Sequence, residues 1–213
     1  MIMFRRVTSL LLICSIFMVD GCTQTIKVDP VPLPAPSNDS PLSAYSKMTV
    51  LIKQFQDERE NKNIIGSGSG LIIKTDRDVT ELVEQAIVDQ LEEDGYEVVR
   101  TDIGKPDIVI EGAVTAYWIS FESINIDNFT DIATVEAKMA VTSRPEPADV
   151  PLTTYVGRTS ISKAFGISES EFKDAIINSV NGALLDMVQA FVGDSRVSKA
   201  LYSTYDLKKS RSR

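Results

Sequence analysis

Residues 132–142 read Ile-Ala-Thr-Val-Glu-Ala-Lys-Met-Ala-Val-Thr, an alternation that suits a β-strand with one buried face and little else. Ala133, Val135, Ala137, Met139 and Val141 share one side, while Thr134, Glu136, Lys138 and Thr142 share the other, because strand side chains repeat with period two. A stretch rich in Ile, Val, Tyr, Trp and Phe precedes it over Asp107–Glu122, and another β-favouring stretch follows over Thr153–Ser162. The polar segment Ile124–Thr130 and the loop marked by Pro145, Pro147 and Pro151 join the three, so they predict a three-strand meander.

Two amphipathic helices bracket that meander. In the first, Val79, Leu82, Val83, Ala86, Ile87 and Leu91 recur at i, i+3, i+4, i+7 and i+8 spacing. Asp76 or Asp78 caps its start, and Gly95 supplies a left-handed residue at its end. In the second, Phe172, Ala175, Ile176, Val180, Ala183, Leu184, Met187, Val188 and Phe191 make the apolar stripe. Ser168 and Glu171 fit a capping box, and Gly193 stops the helix. A short third helix is expected over Ser195–Tyr202. Strands are expected at Met48–Ile52, Leu71–Ile73 and Tyr96–Val99. Together these elements predict an α+β fold, with a mainly antiparallel sheet, two main helices packed on one face and a short C-terminal helix. They fill a single globular domain over residues 47–205.

Ahead of that domain lies a different kind of sequence. Arg5 and Arg6 precede Val7–Val19, 13 mostly apolar residues. That run falls short of the roughly 20 residues needed to span a bilayer, and it has the anatomy of a signal peptide. Val19-Asp20-Gly21-Cys22 places a small residue before cysteine and an aliphatic residue two positions further back, the lipobox arrangement. Residues 1–21 are therefore expected to be removed and Cys22 to carry the lipid, anchoring the chain to a membrane. Thr23 stands where an aspartate would favour retention in the inner membrane. The expected location is the outer membrane of a Gram-negative cell, with the domain facing the periplasm.

Residues 22–46 then form the lipidated N-terminus and a tether. Pro30, Pro32, Pro34, Pro36 and Pro41 disfavour helix and sheet and favour an extended path. At about 3.1 Å per residue, 24 such residues reach roughly 75 Å. Thr25-Ile26-Lys27-Val28 alternates and offers a second reading, a strand added to a sheet edge. Residues 206–213, with Lys208, Lys209, Arg211 and Arg213, read as a basic disordered tail.

Charge and composition limit the chemistry. The chain has 22 Lys and Arg against 30 Asp and Glu, a net charge of −8; losing Arg5, Arg6 and Asp20 with the leader takes it to −9. An acidic surface repels phosphates, so no nucleic-acid partner is expected. Histidine is absent, which removes the usual base near neutral pH and the commonest metal ligand. Of the two cysteines, Cys14 leaves with the leader and Cys22 is acylated, so the mature chain has no disulfide. Gly66-Ser67-Gly68-Ser69-Gly70 lacks the Gly-Lys-Ser/Thr ending of a phosphate cradle and precedes a strand, which makes it a hairpin connection. Glu92, Glu93 and Asp94 form a solvated helix end. Asp127 and Asp131 flank a turn with too few oxygens for calcium. No catalytic residue, cofactor or metal site is assigned, and the chain is expected to be non-enzymatic.

Asp76-Arg77-Asp78-Val79, Gly95-Tyr96, the strand through Val114–Trp118, Ala137-Lys138-Met139-Ala140, and Tyr155 with Ala164-Phe165 occur in an order and spacing that resemble the YajG-type outer-membrane lipoproteins of proteobacteria. The resemblance covers most of the mature chain and implies location and fold more than activity. More distantly, the layout is similar to periplasmic lipoprotein modules of the LpoB, CsgG and transport-auxiliary type, which bind partners or assemble into rings.

One group of residues is singled out for binding. Tyr117 and Trp118, the latter the sole tryptophan, must face opposite sides of a strand, and Phe121 follows. Aromatics are enriched in interfaces, so Tyr117, Trp118 and Phe121 make a candidate partner-binding surface. The expected function is a lipid-anchored periplasmic binding or assembly module that docks on an envelope protein complex. The alternatives are a homo-oligomeric ring subunit built by edge-strand addition, or a carrier of a small apolar ligand or lipid.

Overall fold

The computed structural model describes residues 24–28, 48–68, 70–101, 104–125, 128–144, 149–164 and 168–211. Among these residues nine strands and three helices follow one another as β1 (Gln24–Lys27), β2 (Thr49–Ile52), β3 (Gln56–Asp57), β4 (Ile64–Gly68), β5 (Leu71–Lys74), α1 (Val79–Glu93), β6 (Glu97–Val99), β7 (Ile108–Asn125), β8 (Asn128–Ser143), β9 (Val150–Ala164), α2 (Glu169–Val192) and α3 (Ser195–Arg211). The α+β class, the three-strand meander and the two helices on one face are as the sequence predicts.

The 18-residue β7 organises the single sheet. On one edge β8 pairs antiparallel along its length, and β9 pairs antiparallel with β8. On the other edge β2, β3 and β4 lie end to end, all parallel to β7. Beyond them sit β6, parallel to β2, and β5, antiparallel to β4. The antiparallel pairs are the long ones, but the sheet is mixed, and the parallel half is what the local pattern did not announce.

The glycine-rich run is partly strand. Gly66 lies opposite Ile119 of β7, where an added Cβ would sit 2.7 Å from the Ile119 carbonyl oxygen. The turn into β5 is made by Gly70, whose φ of 78° suits glycine.

Residues 24–27 also belong to the sheet. β1 runs parallel to β5 from Gln24 opposite Leu71 to Lys27 opposite Lys74, and Ile26 and Val28 are buried in the core. The strand reading of Thr25–Val28 therefore displaces the tether reading there. The proline-rich remainder, 29–47, falls outside the described residues, as do Cys22 and the leader.

Both main helices form where their ends are satisfied. The Asp78 carboxylate accepts from the Thr80 amide at 2.8 Å to start α1, and Gly95 follows it at φ 88°. At α2, Ser168 Oγ accepts from the Glu171 amide while the Glu171 side chain accepts from the Ser168 amide, the expected capping box. The 24 residues of α2 are apolar and long enough to cross a membrane by length and composition. Their stripe is instead buried, with Ile176, Ala183, Met187 and Phe191 fully enclosed. Each large apolar side chain so buried contributes roughly 1.5–3 kcal/mol. Helix α3 runs well past Tyr202, to Arg211, so residues 206–211 of the segment expected as a tail are its last turns. Cations near a helix C-terminus complement its dipole, and Lys209 also lies 5.9 Å from the Tyr205 ring centroid.

Candidate docking surface beside strand β7

Strand β7 changes face at Thr115. Val114 pairs with Ala137 and Ala116 with Glu136, which leaves Thr115 as a bulge. Its hydroxyl donates to the Glu136 carboxylate at 2.7 Å. Before the bulge Ile108, Ile110 and Val114 enter the core; after it Tyr117 and Ile119 do. The aromatics divide accordingly. Tyr117 is 1 % exposed and belongs to the core. Trp118 is half-buried on the opposite face. Phe121, on the Tyr117 side, stacks on Phe172 of α2 at 5.8 Å between centroids and 25° between planes. The three do not form one patch: Trp118 alone is on the face away from the helices.

Trp118 borders a hollow of about 280 Å³ whose other walls are Arg59, Glu60, Asn61, Ile64, Thr115, Ala116 and Tyr117. Arg59 is the residue sequence reasoning missed. It lies in a run of charged residues over 57–62, yet it is 8 % exposed. Its Nε and Nη2 donate to the Asp57 carboxylate at 2.9 and 2.8 Å, and Nη2 also reaches the Lys62 carbonyl at 2.8 Å. Burial pushes the Asp57 carboxyl up, but the hydrogen bonds and charge of Arg59, with the charge of Lys62, outweigh it and hold the group below the ordinary range. That carboxylate therefore stays ionised and neutralises Arg59.

Two polar atoms of the hollow's walls are buried without a hydrogen-bond partner, Arg59 Nη1 and Tyr117 Oη. The Tyr117 hydroxyl is held well above its usual pKa by burial, against the opposing charges of Arg59 and Arg77. It is thus always protonated and available as a donor. Both donors are enclosed, so an uncharged acceptor oxygen that satisfied them would be enclosed with them. Among the described residues no group of three or more His, Cys, Asp or Glu is placed to hold a metal ion.

Asp131 does not flank a turn. It is fully buried in β8, with Oδ1 accepting from Ser179 Oγ at 2.7 Å and from the Ile161 amide at 3.1 Å. Asp127 and Cys22 lie outside the described residues.

No family model matches the chain, and no curated protein matches it in sequence. Solved structures do resemble it. A Xanthomonas campestris protein of family DUF330 shares 14 % identity, with a TM-score of 0.54 over 84 % of this chain and 98 % of that one. A lipoprotein from Neisseria meningitidis shares 16 % identity over 62 % of this chain and 93 % of that one, with a TM-score of 0.33. The PelC dodecamer from Paraburkholderia phytofirmans shares 10 % identity over 73 % and 94 %, with a TM-score of 0.30. The last two superpose too loosely to carry an argument. What the first establishes is architecture: this chain has the fold of the DUF330 protein from Xanthomonas campestris.

Proposed function

We propose that this chain is a YajG-type lipoprotein of the outer membrane, anchored through Cys22, which docks non-enzymatically on an envelope protein complex. The anchor rests on one observation: Arg5-Arg6, a 13-residue apolar run and Val19-Asp20-Gly21-Cys22 stand in the order that lipid modification requires. The acyl chains would hold it firmly, since each buried methylene contributes about 0.8 kcal/mol. Growth with radiolabelled palmitate tests this. A labelled band that disappears in Cys22→Ser supports the anchor, and an unlabelled product that retains Met1 overturns it.

The docking role rests on the hollow beside Trp118, which offers an apolar wall next to the Arg59 side chain on the face that the helices leave open. A photo-crosslinking residue at Trp118 is expected to capture one reproducible envelope protein in living cells, and the same residue at the exposed Leu152 is not. Equal capture at both positions would remove the support for this surface.

A second reading has its own observation. Among the described strands β9 pairs only with β8, so a 15-residue strand leaves an edge to which another copy could add. Helix α2 partly closes that edge, because the Arg158 amide donates to the Asp186 carboxylate at 3.0 Å. Size exclusion of the acyl-free Cys22→Ser protein separates the readings: a monomer at high concentration counts against a ring.

A further inference from the structure

We infer that the domain is held directly against the lipid headgroups, one defined end of its sheet down, and does not work at the end of a long tether. The inference rests on the lipid anchor at Cys22 proposed above. It follows from where the chain first joins the fold. Gln24 donates its amide to the Gly70 carbonyl at 3.0 Å, and Val28 donates to Lys74 at 3.0 Å, so β1 is bonded into the sheet at both ends. Ile26 and Val28, 6 % and 4 % exposed, fix it there by burial. Only Thr23 stands between Cys22 and Gln24, a span of two chain steps. Extended chain covers at most about 3.6 Å per residue, so the acylated residue lies within roughly 7 Å of the strand. A reach of some 75 Å is excluded for as long as β1 stays paired. Residues 29–47 then connect two strands of one sheet, β1 and β2.

The register says which end is down. Gln24 is level with Leu71 and the Gly68–Gly70 turn, and Ser67 of β4 is level with Ser120 of β7. The anchored end therefore carries Phe121, the paired ends of β7 and β8 at Asn125 and Asn128, the end of β9 at Ala164, which lies opposite Asn128, and the start of α2 at Ser168. The far end carries Ile108 opposite Ser143, the start of β9 and Gly193. Phe121 and Ile108 are thirteen positions apart on β7, about 43 Å at 3.3 Å per residue. The hollow beside Trp118 lies nearer the lower end, which restricts its partner to a protein close to the membrane surface. No charge attraction is needed, because the short covalent link alone keeps the local concentration of headgroups high.

Two exposed positions on one strand test the geometry. Lys163→Cys and Leu152→Cys sit eleven residues apart on β9, about 36 Å. Each is labelled with a fluorophore in the full acylated protein, in phosphatidylethanolamine–phosphatidylglycerol vesicles that contain headgroup spin-labelled lipid. Strong quenching at 163 with little at 152 is expected. A twelve-residue Gly-Ser insertion after Thr23 is expected to abolish the difference while the protein still floats with the vesicles. Equal quenching at the two positions without the insertion overturns the inference and leaves the anchor standing. Failure of every form to float overturns the anchor, and the inference with it.

Discussion

Gly157 of β9 lies so close to Ala183 of α2 that a Cβ placed on it would sit 1.9 Å from the Ala183 carbonyl oxygen and 2.3 Å from the Met187 amide nitrogen. Both obstacles are backbone of the central helix and cannot rotate aside. Next to Ala183, Gly182 would place a Cβ 2.7 Å from Thr159 Oγ1, so strand and helix approach through small residues on both sides. Gly157→Ala should therefore exceed the usual 1–3 kcal/mol of an overpacked core, destabilising by about 3 kcal/mol or more. For a domain of this size that corresponds to a fall in Tm of roughly 6–12 °C, measurable by circular dichroism. Gly70→Ala, whose Cβ would meet nothing within 4 Å, suffers only from its φ of 78° and should lose less.

Asp131 predicts a pH dependence of opposite sign to ordinary acid denaturation. Burial raises its pKa above the usual 3.8, and the hydrogen bonds from Ser179 and Ile161 only reduce that shift. Its Oδ2 is buried with no partner, which suits a protonated group better than a carboxylate. The folded state therefore holds this proton at pH values where the unfolded chain has released it. Its contribution to stability is full below the usual 3.8 and declines as pH rises through the folded pKa. Asp131→Asn keeps a carbonyl for Ser179 and Ile161 and cannot ionise. Urea unfolding across pH 4–8 should show the variant gaining stability relative to the parent as pH rises; a constant difference between the two would contradict the assignment.

Legibility in the sequence followed the range of the interactions. The alternation of β8, the cap at Asp78 and the capping box at Ser168 are settled within a few residues, and each stands where the pattern puts it. The bulge at Thr115 is different, because it exists only in relation to Glu136 and Ala137 on another strand. It reverses the face of the residues that follow it as far as Phe121, which is why Tyr117 joins Val114 in the core despite the odd spacing between them. The parallel alignment of β2, β3 and β4 along β7 is likewise a long-range choice. Arg59 illustrates the same point for the candidate site: its burial depends on Asp57, on Lys62 and on the neighbouring strand, none of which a charged turn displays.

Asp194 ties the last helix to the sheet. Its carboxylate accepts from the Arg196 amide at 2.8 Å, capping α3, and from Tyr155 Oη of β9 at 2.9 Å. The Arg196 side chain adds three further bonds, two from Nε and one from Nη2, and hydrogen bonding to Arg196 is the chief reason that the Asp194 pKa falls to about 2. A depressed acid stabilises the fold above the unfolded value of 3.8, and that contribution is lost as pH falls through about 2. Asp194→Ala removes a cap, which costs about 0.5–2 kcal/mol, and leaves the Tyr155 hydroxyl without this partner. Hydrogen exchange in α3 should accelerate in the variant, with α1 unaffected.

Tyr117→Phe reports on what the hollow contains. In the absence of any bound group the Tyr117 hydroxyl is a buried donor with no partner, and a group in that position costs free energy to desolvate. Removing the oxygen from an empty site leaves the ring's packing intact, so the variant should be as stable as the parent or more stable by up to about 1 kcal/mol. If an ordered water or a carbonyl satisfies the hydroxyl and Arg59 Nη1 together, the same change should instead destabilise by about 1 kcal/mol, because Arg59 loses its bridge as well. The decisive comparison is chemical denaturation of Tyr117→Phe with and without the protein captured through Trp118. A loss of stability that appears only in the complex shows that docking supplies an acceptor to the hydroxyl, and an identical effect in both states places the partner away from it.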